Sequence, residues 1–483
     1  MNLTDILCVI PSRLGVGEEF TIKIKLRGKS QEIPCSNFSW KTKEPALLGP
    51  FNLAVARNIK YMDDTLPEWK GCLQVDGEGS LKGREQIKFD GLNQGVFSED
   101  TRPIKHFDGY SWTKPGFHFI RITDSESDTS FWSNPVYVTK EKPKNRIYWG
   151  DPHWQTFFSD GIRCPEELYA FARDEAFLDF GAISDHMEAI TDRQWDYFQA
   201  VSNDYNQPGS FVSLIGQEWT NHKYGHRNIY YRGAGGPLIS SKDSNSDTLE
   251  KLWKTADKVA ATGEEVLLIP HHTANKIMGC DWSMGWNPKY EKAVEVYSCW
   301  GSSECHEDDG NTRPITPENC GGEVKGRHVR DALKRGYRFG FVGGGDIHDG
   351  RPGDCLDGHP GVTKGYRSGL TAVLIPELTR ENVFDAIKNN HSYAATCSRI
   401  FMDVVTEKHG KNLKLDVKCA SEHGLKAVEI IRNGDIVQNI ALKDNSRFLE
   451  QELEIQALAK DDFLYIRVTA NSGDMAWSSP VFQ

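Results

Sequence analysis

The stretch YWGDPHWQTFFSDG, Tyr148 to Gly161, decides how the chain is read. It opens as an apolar strand and ends in a polar, glycine-containing turn. Asp151, His153, Gln155 and Asp160 lie within it. Residues i and i+2 of a strand face the same side, so His153 and Gln155 can reach one point in space. That geometry suits a metal ion if other strands bring further ligands to the same end.

Outward from this stretch, short apolar strands alternate with amphipathic helices. RIYWGD, LDFGAISDH, FVSLIGQEW, HRNIYYRG, EVLLIPHH, AVEVYS, YRFGFVGGGD and GLTAVLIP read as strands. CPEELYAFARDEAF, TDRQWDYFQAVSNDY, DTLEKLWKTADKVAAT, RHVRDALKRGY and TRENVFDAIKNN read as helices. Thr191, Asp247 or Thr248, and Thr379 are N-cap signals. Alternating strand and helix implies a parallel sheet, and about seven units favour a closed β/α barrel over an open sheet. The expectation is therefore an α/β fold, with a barrel over residues 146–397.

The flanks differ. Residues 1–145 contain alternating segments such as EEFTIKIKLRG and GFHFIRITD, separated by Asn, Gly, Pro and Asp clusters. An N-terminal β-sandwich is expected there, with KEKPKN (Lys140 to Asn145) as the linker. Residues 398–483 return to alternation in FMDVVTEK, LKLDVKCA and DFLYIRVTA, with RNGD as a hairpin turn. This predicts a second, smaller β-sandwich.

Composition narrows the function classes. Lys and Arg number 57 against 68 Asp and Glu, for a formal charge of −11. Such a balance disfavours general nucleic-acid binding, which needs a basic field. The N-terminal residues show no secretory signal, and no run of roughly 18 apolar residues offers a membrane span. Eleven scattered cysteines without a C-x-x-C pair argue against a disulfide framework or zinc ribbon. The expected compartment is the cytoplasm.

The chemistry gathers at strand ends. The first strand supplies His153 and Gln155, the second Asp185 and His186, the third Glu218. The fourth begins at His226. The fifth ends in His271 and His272, and the seventh in Asp346 and His348. Glu295 lies within the sixth strand and Glu304 just beyond it. In a parallel barrel the C-terminal strand ends open on one face, where active sites assemble. His, Asp and Glu converging there match transition-metal ligand chemistry. The expected ligands are His153, His186, Glu218, His226, His271, Asp346 and His348, with Glu218 as a natural bridge. Asp185 is expected either as a ligand or as a carboxylate orienting its neighbour. If the fifth strand persists, His272 points away from His271 and faces substrate or packing.

The ordered series GDPHWQTFFSDG, AISDH, GQEWT, GHRN, IPHH, GGGDIHDGRPG and NVFDAIKNNHSYAATCSRI resembles the polymerase-and-histidinol-phosphatase (PHP) superfamily. It looks most like a large branch catalogued only as a domain of unknown function, with β-rich segments on both sides. The resemblance covers roughly residues 146–400 strongly and the flanks weakly. It implies a distorted seven-stranded β/α barrel with two or three divalent ions, zinc, manganese or iron, and metal-dependent phosphoesterase activity. The family's first motif is usually His-x-His. Here His153 matches its first histidine, while Gln155 replaces the second. A further first-motif ligand has its nearest counterpart in Asp160.

The expected function is hydrolysis of a small, anionic, phosphorylated substrate by metal-activated water. His272 and His348 are the candidate acids for the leaving group, with Asp185 beside them. Gln155, Arg351 and Trp300 are the candidate substrate contacts. Arg313, Lys364 and Arg367 are further candidate anion holders, and Trp154 and Trp219 further rim aromatics. Two other readings stay open: a metal-dependent amide, lactone or other carbonyl-directed hydrolase, and a non-catalytic metal-containing binding protein. Oligomeric state does not follow from the sequence.

Overall fold

A computed structural model describes residues 3–33, 61–65, 69–91, 103–355 and 365–483. Near the N-terminus, the strand Glu19–Ile33 pairs antiparallel with Asp5–Val9 and Ile104–Trp112. Its alternation turns Phe20, Ile22, Ile24 and Leu26 into an apolar core. Lys70–Asp76, Gln86–Asp90 and Arg121–Asp124 form a second sheet that adds Leu73, Ile87, Phe89 and Ile122 to the same core. The other face of Glu19–Ile33 carries Lys23, Lys25 and Arg27. Alternation alone would leave that face to solvent, yet Lys25 is fully buried, with Nζ 3.3 Å from Glu175 and 3.5 Å from Asp354. Arg27 pairs with the same Asp354. The polar side of the strand is thus stitched to the central part of the chain.

That central part begins with β1 (Arg146–Trp154), α1 (Pro165–Asp174), β2 (Phe180–Ile183) and α2 (Asp192–Tyr205). Then come β3 (Ile215–Trp219), β4 (Arg227–Tyr231), α3 (Leu249–Ala260), β5 (Val266–Pro270) and β6 (Ala293–Ser298). It continues through α4 (Val329–Lys334), β7 (Gly340–Gly343), β8 (Leu370–Ile375), α5 (Arg380–Lys388) and β9 (Ser392–Ala395). Thr191 forms a capping box with Gln194, and Thr248 and Thr379 cap α3 and α5.

The expected β/α barrel is not formed. The described chain is mostly strand, spread over several sheets, with five α-helices among the described residues. β1 and β2 are parallel, as are β6 and β7. By contrast, β3, β4 and β5 form an antiparallel sheet, and β8 is antiparallel to both β1 and β9. The physical reason is in the connections. A parallel pair needs a crossover of about a dozen residues or more, whereas antiparallel neighbours accept a short loop. Residues 220–226 join β3 to β4 without a helix. Helices α3 and α5 lie between antiparallel strands, β4–β5 and β8–β9, so neither is a parallel crossover.

The expected separate sandwich at the C-terminus is corrected in the same way. The strand Met475–Ser478 pairs with β9, and Phe463–Ala470 and Leu425–Arg432 follow it, so the sheet that holds β1 runs on across residue 397. Phe401–His409, Asn412–Ala420 and Phe448–Gln456 form their own antiparallel sheet. The RNGD turn is a hairpin, with Asn433 and Gly434 both at positive φ, 55° and 90°. No helix among the described residues is long and apolar enough to cross a membrane.

Candidate metal centre

Although no barrel closes, strand ends still converge. Isolated parallel bridges join Trp154 to Ile347 and His186 to Glu218, tying the ends of β1, β2, β3 and β7 together. The glycines after β7 permit this closeness. A side chain on Gly344 would stand 2.1 Å from a Glu295 oxygen and 2.9 Å from His153 Cβ, and one on Gly345 would stand 2.4 Å from Asp151 Oδ2.

Glu218, fully buried, is the hub. Its Oε1 lies 3.1 Å from His186 Nδ1, 2.8 Å from His226 Nδ1 and 3.4 Å from His271 Nε2. Its Oε2 lies 3.6 Å from His153 Nε2 and accepts a 2.8 Å hydrogen bond from Gln155 Nε2. His153 Nε2 is also 3.3 Å from Asp346 Oδ1. Despite this proximity, His153 Nε2, His226 Nδ1 and both ring nitrogens of His271 are buried without an aligned hydrogen-bond partner among the described residues. Buried polar atoms left unpaired are costly, and here they point into one cluster.

Four overlapping sets can each hold an ion: His153, Glu218 and His271; His226, His271 and His272; His186, Glu218 and His226; and Asp160, His186 and His348. The sets overlap: His186, Glu218, His226 and His271 each belong to two of them. An all-nitrogen-and-oxygen ligand set suits zinc, manganese or iron.

Electrostatics follow from burial and crowding. Burial disfavours the Glu218 charge, but His186 and His271 outweigh it and hold the carboxyl well below its usual range. Burial likewise opposes charge on His153, and Asp346 and Glu295 override it and raise the imidazole well above its ordinary value. Burial lowers His226 to about 4, because the pull of Glu218 does not compensate it. His272 is lowered well below its ordinary value by burial, with His271 and His226 adding repulsion.

The structure relocates several expected residues. β5 ends at Pro270, and His272 takes φ +32°, so the chain turns and both rings enter the cluster, with centroids 4.3 Å apart. His272 therefore does not point away from His271. Asp346 sits at φ +47°, another strained position at the cluster. Asp185 faces the Thr156–Ser159 turn, accepting from the backbone N–H and hydroxyl of both residues. Burial raises its carboxyl to about 6. Asp151 is similarly enclosed, by the N–H groups of His153, Gly345 and Gly353 and by Ser368 Oγ. These two carboxylates shape the loops.

Arg351 is fully buried and bonds the Asp354 backbone and carboxylate at 3.1 Å each, which places it in an internal ion pair and not in a substrate pocket. Arg367 pairs with Asp354 and Arg313 with Asp474; Lys364 lies outside the described residues. Glu304 also leaves the rim for an internal cluster. Trp300 stays beside the site, 6.4 Å from the His272 ring and 6.2 Å from His348. Trp154 and Trp219 are core residues.

Three contributors were underread. Glu295 Oε2 lies 3.0 Å from His153 Nδ1 and orients that ring. A lone carboxylate inside the apolar run AVEVYS was the available signal, since a buried charge requires a partner. Asp160 is 3.2 Å from His348 Nε2 and 3.5 Å from His186 Nε2. His222 stacks on His226, with Nδ1 3.1 Å from Nε2, at a spacing of four residues in NHKYGH.

Residues 165–365 match a family described as a protein of unknown function, DUF3604. An uncharacterized protein of Chlamydia pneumoniae is 28% identical over 399 residues, 77% of this chain and 62% of the relative. Uncharacterized proteins of Chlamydia muridarum and Chlamydia trachomatis are each 27% identical over 401 residues. The chain thus spans about 62% of the length of these curated relatives.

Proposed function

We propose that the His153, His186, Glu218, His226 and His271 cluster, completed by His272 and Asp346, holds two or three divalent cations in a metal-dependent hydrolase. The favoured reaction is phosphoester hydrolysis of a small anionic substrate, in keeping with the PHP-like motif series. One observation carries the reading: buried ring nitrogens of His153, His226 and His271 lack hydrogen-bond partners while they crowd a single buried carboxylate. Bound cations would supply Lewis acidity, lowering the pKa of a water and stabilising charge on a substrate oxygen.

The chain's own groups have distinct tasks in this reading. Glu295 takes the Nδ1 proton of His153 in a hydrogen bond, leaving Nε2 as the ligand atom. Gln155 donates to Glu218 and accepts from Ser159 Oγ at 3.0 Å, so it fixes the carboxylate's orientation. At the more open edge, His348 beside half-exposed Asp160 is placed to protonate a leaving group. His272 is assigned to the ligand set by its membership of the His226 and His271 group. Trp300 walls the approach. All ten described cysteines are free, which fits the proposed cytoplasmic setting.

The test is metal analysis of the purified chain together with hydrolysis of a generic aryl phosphate, with and without chelator. Two or more ions per chain and chelator-sensitive release of phosphate support the proposal. Bound metal with turnover only of aryl esters or amides replaces phosphoester by carbonyl chemistry. Absence of metal after metal-replete preparation overturns the reading.

A further inference from the structure

A cavity of about 300 Å³ lies at the other end of β1 from His153. It opens between the N-terminal strands and the start of the central region. Tyr148 borders it, and His153 is five residue steps further along the strand, roughly 17 Å away. Cavities at such junctions are common small-molecule sites, and this volume sits at the lower end of their range.

Its charges are unevenly matched. Arg13 and Arg146 line it but pair with Asp403 and Glu18. Lys23 and Arg399 line it too, and among the described residues neither has a carboxylate at ion-pair distance. Arg399 is 6% exposed. Its Nη2 donates to the carbonyls of Ala176 at 2.7 Å and Phe177 at 3.1 Å, while its Nε is buried with no partner among the described residues. Asp179, Glu422 and Asp354 act on this guanidinium only at longer range. A buried cation whose carboxylates all lie beyond ion-pair distance is under-compensated, so a site that keeps one is poised for an anion. Phe177, on the cavity wall, is held at φ +54°, an uncommon conformation for an aromatic residue. That local strain presents its carbonyl to Arg399. The single lining carboxylate, Asp179, accepts the Trp149 N–H at 2.8 Å. Lys23 and Arg399 set against Asp179 leave one net positive charge.

We propose that this cavity binds a small organic monoanion, a carboxylate on an aromatic or apolar body. The carboxylate sits between Lys23 and Arg399, and the body rests against Tyr148, Pro11 and Phe177. The site is separate from the metal cluster.

Phenylacetate is the probe, titrated into the full chain by calorimetry and saturation-transfer NMR, with inorganic phosphate in parallel. Saturable phenylacetate binding that survives chelation is expected. Lys23→Gln should weaken it about tenfold through the lost charge-assisted contact, and Lys23→Arg should restore most of it. Among the described residues Lys23 has no carboxylate at ion-pair distance, and its ammonium lies 6.0 Å from the Phe177 ring, so only a small change in unfolding midpoint is expected for both variants. The proposal fails if wild-type protein shows no saturable phenylacetate binding. It also fails if binding disappears with chelator, if Lys23→Gln leaves it unchanged, or if inorganic phosphate binds this site as well as phenylacetate does.

Discussion

Glu218 and Glu304 are both fully buried carboxylates ringed by basic groups, and the rings differ in what they leave unpaired. Glu304 Oε1 accepts from Arg330 at 2.7 Å and from Tyr465 at 2.6 Å; Oε2 accepts from Arg467 at 3.0 Å and from Trp477 at 2.8 Å. Burial alone would raise this carboxyl, but Arg467 and Arg330 bring it down to about 2. The cluster is complete, and it clamps α4 to the C-terminal strands. Around Glu218 the basic partners are imidazoles, beside the neutral donors Gln155 and Thr220, and several ring nitrogens have no aligned acceptor or donor among the described residues. Fixed guanidinium forks close a structural cluster; unpaired imidazoles leave one open to a ligand.

This contrast can be broken by substitution. Glu218→Ala should abolish metal uptake and reduce any hydrolysis at least ~1,000-fold, roughly 4 kcal/mol in the barrier. Elemental analysis and turnover of the folded variant check this; near-normal values for both would erase the distinction. Glu304→Ala should do the reverse. It takes the carboxylate from Arg330 and leaves Arg467 with Glu429 alone, costing about 3–5 kcal/mol of stability in chemical unfolding, while metal content per folded chain stays the same.

Acid sharpens the comparison. The Glu304 carboxyl is depressed from an ordinary 4.5 to about 2 in the fold. A depressed carboxylate contributes its full stability above the unfolded value and loses it as pH falls through the folded one. Unfolding free energy should therefore fall as pH drops from about 4.5 toward 2, and Glu304→Gln should flatten that slope. Equal slopes in both proteins would show that Glu304 does not carry it. A smaller effect is expected from Glu295→Gln, which keeps the volume but weakens the hold on His153 Nδ1. Metal affinity should drop about 10- to 100-fold in a competitive chelator titration. The smallest is Thr191→Ala, which removes the α2 cap and costs about 1 kcal/mol without touching either cluster.

Much of the local structure was legible before any fold was known. Thr191, Thr248 and Thr379 cap helices because an N-cap depends on residues three or four positions away. Asn433 and Gly434 turn a hairpin because both tolerate positive φ. His153, His186, Glu218, His226 and His271 could be singled out because strand ends are visible in a one-dimensional pattern. Arg351 could not be placed that way. Its glycine-rich neighbourhood resembles an exposed anion loop, and what draws it inside includes Asp354, which Lys25, Arg27 and Arg367 hold as well, and the Phe171 ring. His272 was misplaced because strict alternation assumes that the strand continues, and it stops at Pro270.

By itself, then, the sequence determined the short-range features: strand and helix periodicity, caps, the turn, and the gathering of His, Asp and Glu near strand ends. Tertiary structure decided that β3, β4 and β5 run antiparallel, that the sheet extends past residue 397 without closing, and that Lys25 is buried on a face alternation leaves polar. It also decided which buried carboxylate meets arginines and which meets histidines. The division is physical. Periodicity and capping are settled within a few residues, whereas strand direction and charge pairing depend on groups up to hundreds of residues apart, whose partners exist only once the chain has packed.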